Sequence, residues 1–267
     1  SFFVAICLVG IFVLNKSVAS PDQWKQEWPN TDFSKSTIDF NTVISGGPPK
    51  DGIPSIDNPK FRAVSKVNDL DAREPVISLA IGDKAKAYPL RILIWHEIVN
   101  DTVNGVPVIV TYCPLCNSSV AFRREVDGQI LEFGVSGKLR HSDMIMYDRQ
   151  TQSWWQQFTG VGIVGDMTGK TLERLPARVV PFSRFKDKHP DGQVLVPNNR
   201  YARDYGKNPY VNYDSSKTPF LYRGEYTGPG DPMSYVIAVE GEAFLMNALR
   251  KKGRMEHDDL VLTWQGG

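Results

Sequence analysis

The stretch Val106-Pro107-Val108-Ile109-Val110-Thr111-Tyr112-Cys113-Pro114-Leu115-Cys116-Asn117-Ser118-Ser119-Val120-Ala121-Phe122 decides how this chain is read. Val106 to Thr111 is an apolar run rich in branched side chains, and Ser119 to Phe122 is a second. A branched Cβ fits the pleated surface of a sheet, so both runs predict strands. Cys113 and Cys116 then lie on a tight turn between two strands. That context separates two chemistries that share the Cys-x-x-Cys spacing. A redox dithiol draws thiolate stabilisation from a helix N-terminus. A metal knuckle keeps both sulfurs on one side of a β-turn, closed by Gly or Asn in a left-handed conformation. Pro114 fixes φ early in the turn, and Asn117 tolerates φ > 0. The local pattern therefore predicts a metal knuckle, which supplies two ligands and needs more from elsewhere.

Outward from this turn the chain alternates short strands and turns. Val76 to Ile81, Gly82-Asp83 and Lys84 to Tyr88 read as strand, turn and strand. Leu90 to Ile98 reads as a short helix, with Leu90, Leu93, Ile94 and Glu97 at helical spacing. Asn104-Gly105 and Asp127-Gly128 are hairpin turn signals. Ile130 to Val135, Met144 to Tyr147, Trp154 to Phe158, Val161 to Val164 and Met233 to Val239 are further strands, and Pro181 to His189 is a second helix. The predicted fold is mainly β with a few short helices, a β-rich α+β class. Residues 76–267 form the β-rich domain, whose first half, 76–196, carries the cysteine turn. Residues 21–75 read as an irregular segment wrapped over it, with Trp24, Trp28, Phe33, Phe40 and Phe61 as apolar handles. An internal echo links the halves: Val76 to Tyr112 is answered by Ser234 to Trp264, each with a helix carrying a Leu-Arg pair, Leu90-Arg91 or Leu249-Arg250. It reads as a weak internal duplication in which 197–267 is a degenerate repeat without the site.

The chain has 267 residues, 41% hydrophobic and 23% charged, with net charge +1. This excludes a disordered chain, and the scattered Lys and Arg give no basic stripe for nucleic acid. Phe2 to Leu14 is uncharged and apolar, followed by small residues at Ala19-Ser20. Residues 1–20 thus read as a signal peptide or a retained membrane anchor, an N-terminal apolar helix. Either reading exports the protein, and residues 1–14 would join it to a membrane or a membrane-protein complex. In an oxidising compartment the cysteine pair would close a disulfide unless chemistry uses it or metal protects it. So small a loop gains little from such a bond.

Four histidines offer further ligands. His96 closes the helix that precedes the cysteine strand, which brings it toward that strand's end. His141 lies in a turn before a strand that carries Met144 and Met146 on one face. His189 precedes a proline at a helix end, and His257 lies among acidic residues. His96-Glu97 does not open a zincin helix, because position 100 is Asn100.

The strings Gly46-Gly47-Pro48 to Asp51-Gly52-Ile53-Pro54, Trp95-His96-Glu97, Thr111 to Cys116, Ser136-Gly137, Met146-Tyr147-Asp148-Arg149 and Ser153-Trp154 occur in one order. In these the chain resembles the domain of unknown function 3179 family, from about Phe40 to Val196. The resemblance implies an exported bacterial or archaeal protein and marks His96, Cys113 and Cys116 as signature positions.

The expectation is one transition metal, copper ahead of zinc, held by Cys113, Cys116 and His96 with His141 or a Met as fourth donor. Electron transfer, copper delivery or an accessory role in a membrane complex would follow. The rival is a thiol-disulfide oxidoreductase in which Cys113 attacks, Cys116 resolves and His96 assists.

Overall fold

A computed structural model of the chain describes residues 21–265 apart from Pro229 and Glu240. The apolar run Phe2 to Leu14 and the small residues at 18–20 lie outside the described residues. Among those described, no helix is long and apolar enough to cross a membrane.

The fold is mainly β, with three short α-helices among the described residues. One antiparallel sheet orders the strands Val43–Ser45, Phe133–Arg140, Asp143–Asp148, Trp154–Gln156 and Val161–Val164. A second orders Arg174–Leu175, Ser118–Arg123, Val106–Cys113 and Ile98–Val103. A third orders Arg178–Pro181, Pro75–Ile81, Lys84–Pro89, Gln193–Val196 and Lys60–Ala63, with one parallel pair between Gln193–Val196 and Lys84–Pro89. The cysteine strand is central in the second sheet, with both long edges hydrogen-bonded. Its side chains are buried from Val108 to Cys113, so the run is predominantly apolar and not alternating, with Thr111 as a buried polar member.

The turn signals act as their chemistry dictates. Asn104 and Gly105 take φ 48° and 77°, and Asp127 and Gly128 take φ 50° and 77°. Positive φ at both central residues is the hairpin geometry that matches strand twist. Gly137 sits where the register shifts between Val135 and Lys138. A Cβ there would meet the Pro48 carbonyl oxygen at 2.1 Å, so the close crossing of the 46–54 segment requires glycine. Residues 21–75 pack by their aromatics: Trp28 is fully buried, edge-on to Tyr147 and to Trp154 at 4.9 and 5.4 Å between ring centres. The first helix is Leu90–His96, shorter than the predicted 90–98, because Glu97 takes φ 58° and turns the chain into the next strand. The strand predicted over 154–158 ends at Gln156, and among the described residues of 197–232 there is one 3-10 turn, Tyr213–Ser215, and no strand.

One element order occurs twice. Hairpin Pro75–Ile81 and Lys84–Pro89, helix Leu90–His96 and hairpin Ile98–Val103 and Val106–Cys113 form the first instance. Hairpin Val236–Val239 and Glu242–Leu245, helix Met246–Lys252 and hairpin Arg254–His257 and Leu260–Thr263 form the second.

Candidate metal centre

The site is built by two hairpin turns from different sheets. In the first, Cys113 pairs with Ser118 across Pro114–Asn117, and Asn117 closes the turn at φ 47°. Tyr112 Oη donates to Asn117 Oδ1 at 3.0 Å and fixes that closure. The second turn joins Phe133–Arg140 to Asp143–Asp148. Its central residues are His141 and Ser142, both left-handed at φ 54° and 62°. It delivers Asp143 to the cysteines, and the Cys113 sulfur lies 3.8 Å from the Ser142 carbonyl oxygen.

Cys113, Cys116 and Asp143 each offer one donor atom, and these atoms lie within 4.8 Å of one another. Cys116 Sγ is 3.3 Å from Asp143 Oδ1. A tetrahedral zinc ion with ordinary bond lengths sets sulfur and oxygen about 3.6 Å apart, so the three are close enough to hold a metal. The surroundings aim them. Asp143 Oδ2 accepts from Gln156 Nε2 at 2.5 Å and from the Phe158 N–H at 3.0 Å, which leaves Oδ1 toward the sulfurs. Ser118 Oγ lies 3.2 Å from the Cys116 sulfur and donates to Gln157 Oε1 at 2.6 Å, while Gln157 Nε2 donates to Thr111 Oγ1 at 2.8 Å.

The electrostatics are those of acids crowded together. Both thiols are free, Cys113 buried and Cys116 exposed. Its hydrogen bond with Cys116, burial and the neighbouring acids push the Cys113 thiol well above the ordinary range. Burial raises Asp143, against the pull of its Gln156 and Phe158 hydrogen bonds. Glu97 is raised to about 8 by burial and by the Asp143 charge. Among the described residues neither carboxylate enters an ion pair with a basic side chain. A cluster of this kind is costly without a cation and suited to one.

Above it opens a cleft of about 580 Å³, which the cysteine turn floors at Tyr112, Pro114 and Cys116. Tyr210, Tyr213 and Tyr235 are among its walls. Tyr213 Oη donates to the Leu115 carbonyl at 2.7 Å, which ties the 197–232 segment to the turn.

The two histidines stand apart from the group. His96 Nδ1 is 2.7 Å from the Pro54 carbonyl oxygen and Nε2 is 2.7 Å from Tyr205 Oη, so both ring nitrogens are engaged. It caps a packed segment where a ligand was expected. His141 is exposed at the cleft rim, and its backbone φ explains its presence, since histidine tolerates the left-handed region better than most residues. Met144 and Met146 are buried in the hydrophobic cluster. Asp143 and Glu97 are the residues that sequence reading missed. Glu97 carried no helical signal: it lies past the helix end at φ 58°, and the residues buried on the helix are Ile92, Leu93 and His96.

The profile of a family described as "Protein of unknown function (DUF3179)" matches residues 50–267. No curated protein and no solved structure matches the chain.

Proposed function

The chain belongs to the DUF3179 family, and because that family's description names no activity, we propose from the site itself that the protein binds one zinc-class divalent ion through Cys113, Cys116 and Asp143. The observation that carries this is the convergence of two thiols and a carboxylate from two separate turns, with Cys113 and Asp143 buried and Cys116 open to the cleft. A cation converts mutual repulsion into coordination. A carboxylate in place of the expected imidazole shifts the preference from copper to zinc, since a hard oxygen donor suits a borderline ion better than Cu(I). Export supports the same reading: the uncharged run Phe2 to Leu14 would carry the domain out of the cytoplasm, where bound metal protects a reduced cysteine pair. By that run the domain would also sit at a membrane or a membrane complex.

The redox reading is weaker. Its attacking thiol, Cys113, is buried and pushed up, away from the thiolate that exchange requires. Elemental analysis of protein purified without chelator tests the proposal. Near one zinc per chain is expected in the wild type and in His257→Ala, with loss in Cys113→Ser and Asp143→Asn. Equal metal in wild type and Cys113→Ser would sink it.

A further inference from the structure

The segment from Pro197 to Gly228 reaches the candidate site without belonging to the core. Pro, Asn, Asp, Gly and Ser recur through it, which favours turns over strand pairing. None of its residues is buried, and its backbone–backbone hydrogen bonds all close turns inside the segment.

Its hold on the rest of the fold is polar. At its start Asn198 Nδ2 donates to the Asn58 carbonyl at 2.9 Å, and Tyr205 Oη lies 2.7 Å from His96 Nε2. A carbonyl oxygen only accepts, so His96 Nδ1, 2.7 Å from that of Pro54, carries the ring hydrogen and Nε2 accepts from Tyr205. Further on, one hydroxyl serves two partners. Tyr213 Oη donates to the Leu115 carbonyl at 2.7 Å and accepts from the Phe220 N–H at 3.2 Å. The Phe220 carbonyl accepts in turn from Ser142 Oγ at 2.5 Å. A run of hydrogen bonds thus joins the cysteine turn to the aspartate turn through Tyr213 and Phe220. Tyr210, Tyr213 and Tyr222 of the same segment wall the cleft of about 580 Å³ that Cys116, the exposed sulfur of the pair, helps to floor.

An element held by a few hydrogen bonds and no buried side chain opens at a small fraction of the cost of global unfolding. The part beyond Tyr205 can therefore lift while the sheets stay folded. The cleft it walls has the volume of a small-molecule site, far below that of a folded protein. We propose that residues 206–228 are a cover over the cysteine turn, latched by Tyr213. Closed, it lets small solutes reach Cys116. It bars protein-sized ones until Tyr213 lets go.

Hydrogen exchange and thiol labelling of the full chain, with chelator present, test the cover. In the wild type the amides of 206–228 should exchange at least about a hundredfold faster than those of Val106–Cys113 and Asp143–Asp148. Tyr213→Phe keeps the ring and removes both hydroxyl contacts. Exchange across 206–228 should then rise about fivefold or more while the two strands hold. N-ethylmaleimide and a polyethylene-glycol maleimide share one reactive group and differ in size. Labelling of Cys116, read by peptide mass, should rise about fivefold or more with the large reagent in Tyr213→Phe, and less than about twofold with the small one. Ser142→Ala, which unties Phe220 alone, should move both readings the same way by a smaller factor. Exchange of 206–228 only together with the strands, a labelling gain independent of reagent size, or large-reagent labelling equal in the wild type and both variants would each overturn the cover.

Discussion

The stretches 75–113 and 236–263 share an element order, and only the first runs into the candidate site, contributing Cys113. Each runs hairpin, seven-residue helix, hairpin, and each helix stops at a residue with positive φ. The difference is enclosure. Val106–Cys113 lies between two strands and is buried from Val108 onward. The strands of the second stretch pair only as two-stranded ribbons, and among its described residues Phe244 and Leu249 alone are buried. Val236 and Val261 are exposed there. A local succession of strands and helices thus makes no chemistry by itself. It becomes a site when other elements exclude water, so that charges interact strongly and acids shift toward neutrality. At the first helix end that enclosure meets a glutamate, and at the second a solvent-facing glycine.

The sharpest way to break the comparison is to remove the donor that another turn, outside both stretches, delivers to the first. Asp143→Asn keeps the shape and both hydrogen-bonding partners' neighbourhood while deleting the charge. Metal content should fall from near one per chain to near none, by elemental analysis. A smaller effect follows from Glu97 in the metal-free protein. Its folded value of about 8 lies above the ordinary 4.5, so the fold holds it neutral while the unfolded chain ionises it. The stability it permits is complete below about pH 4.5 and is lost as pH rises through about 8. The loss is on the order of several kcal/mol. Denaturant melts of metal-free wild type should weaken across that window, and Glu97→Gln should flatten the slope. An unchanged slope would show that Glu97 is not buried as an acid.

The histidines sharpen the comparison at lower energy. His96 is buried with both nitrogens hydrogen-bonded. His96→Ala should cost about 1–3 kcal/mol of stability while zinc stays bound. His257 is half exposed and pairs with Glu242 at 2.8 Å in the open second stretch. His257→Ala should cost less than about 1 kcal/mol. Metal loss in His96→Ala would return that residue to the site.

What was legible in the sequence was local. Pro114 and Asn117 announced the turn, Asn104-Gly105 and Asp127-Gly128 announced hairpins, and the apolar runs announced buried strands. Each depends on the intrinsic preferences of a few adjacent residues. Asp143 was not legible, because its role depends on a turn in another sheet meeting the cysteine turn, and nothing next to it distinguishes it from a solvated aspartate. Chain proximity alone places His96 beside the cysteines, and proximity does not say where a ring turns. His96 is the last helical residue and its ring turns to Pro54 and Tyr205, whereas Glu97 takes φ 58° and leaves the helix, so helical spacing does not give the direction of Glu97.

The smallest expected effect isolates the backbone part of the comparison. A Cβ added at Gly253 meets nothing within 4 Å, so Gly253→Ala tests the strain of the turn without a clash. It should destabilise by about 1 kcal/mol, because alanine must hold a positive φ that glycine holds freely. Glu97 bears the same conformational burden, and Glu97→Ala retains it while removing the acid. Glu97→Gly removes both. The midpoint difference between Glu97→Ala and Glu97→Gly in metal-free protein should therefore match that between Gly253→Ala and wild type. A match would show that the first stretch tolerates at position 97 the strain that the second avoids at 253. If Glu97→Ala and Glu97→Gly melt together while Gly253→Ala falls, the strain at 97 is relieved by its neighbours, and burial of the acid is the whole cost of keeping it there.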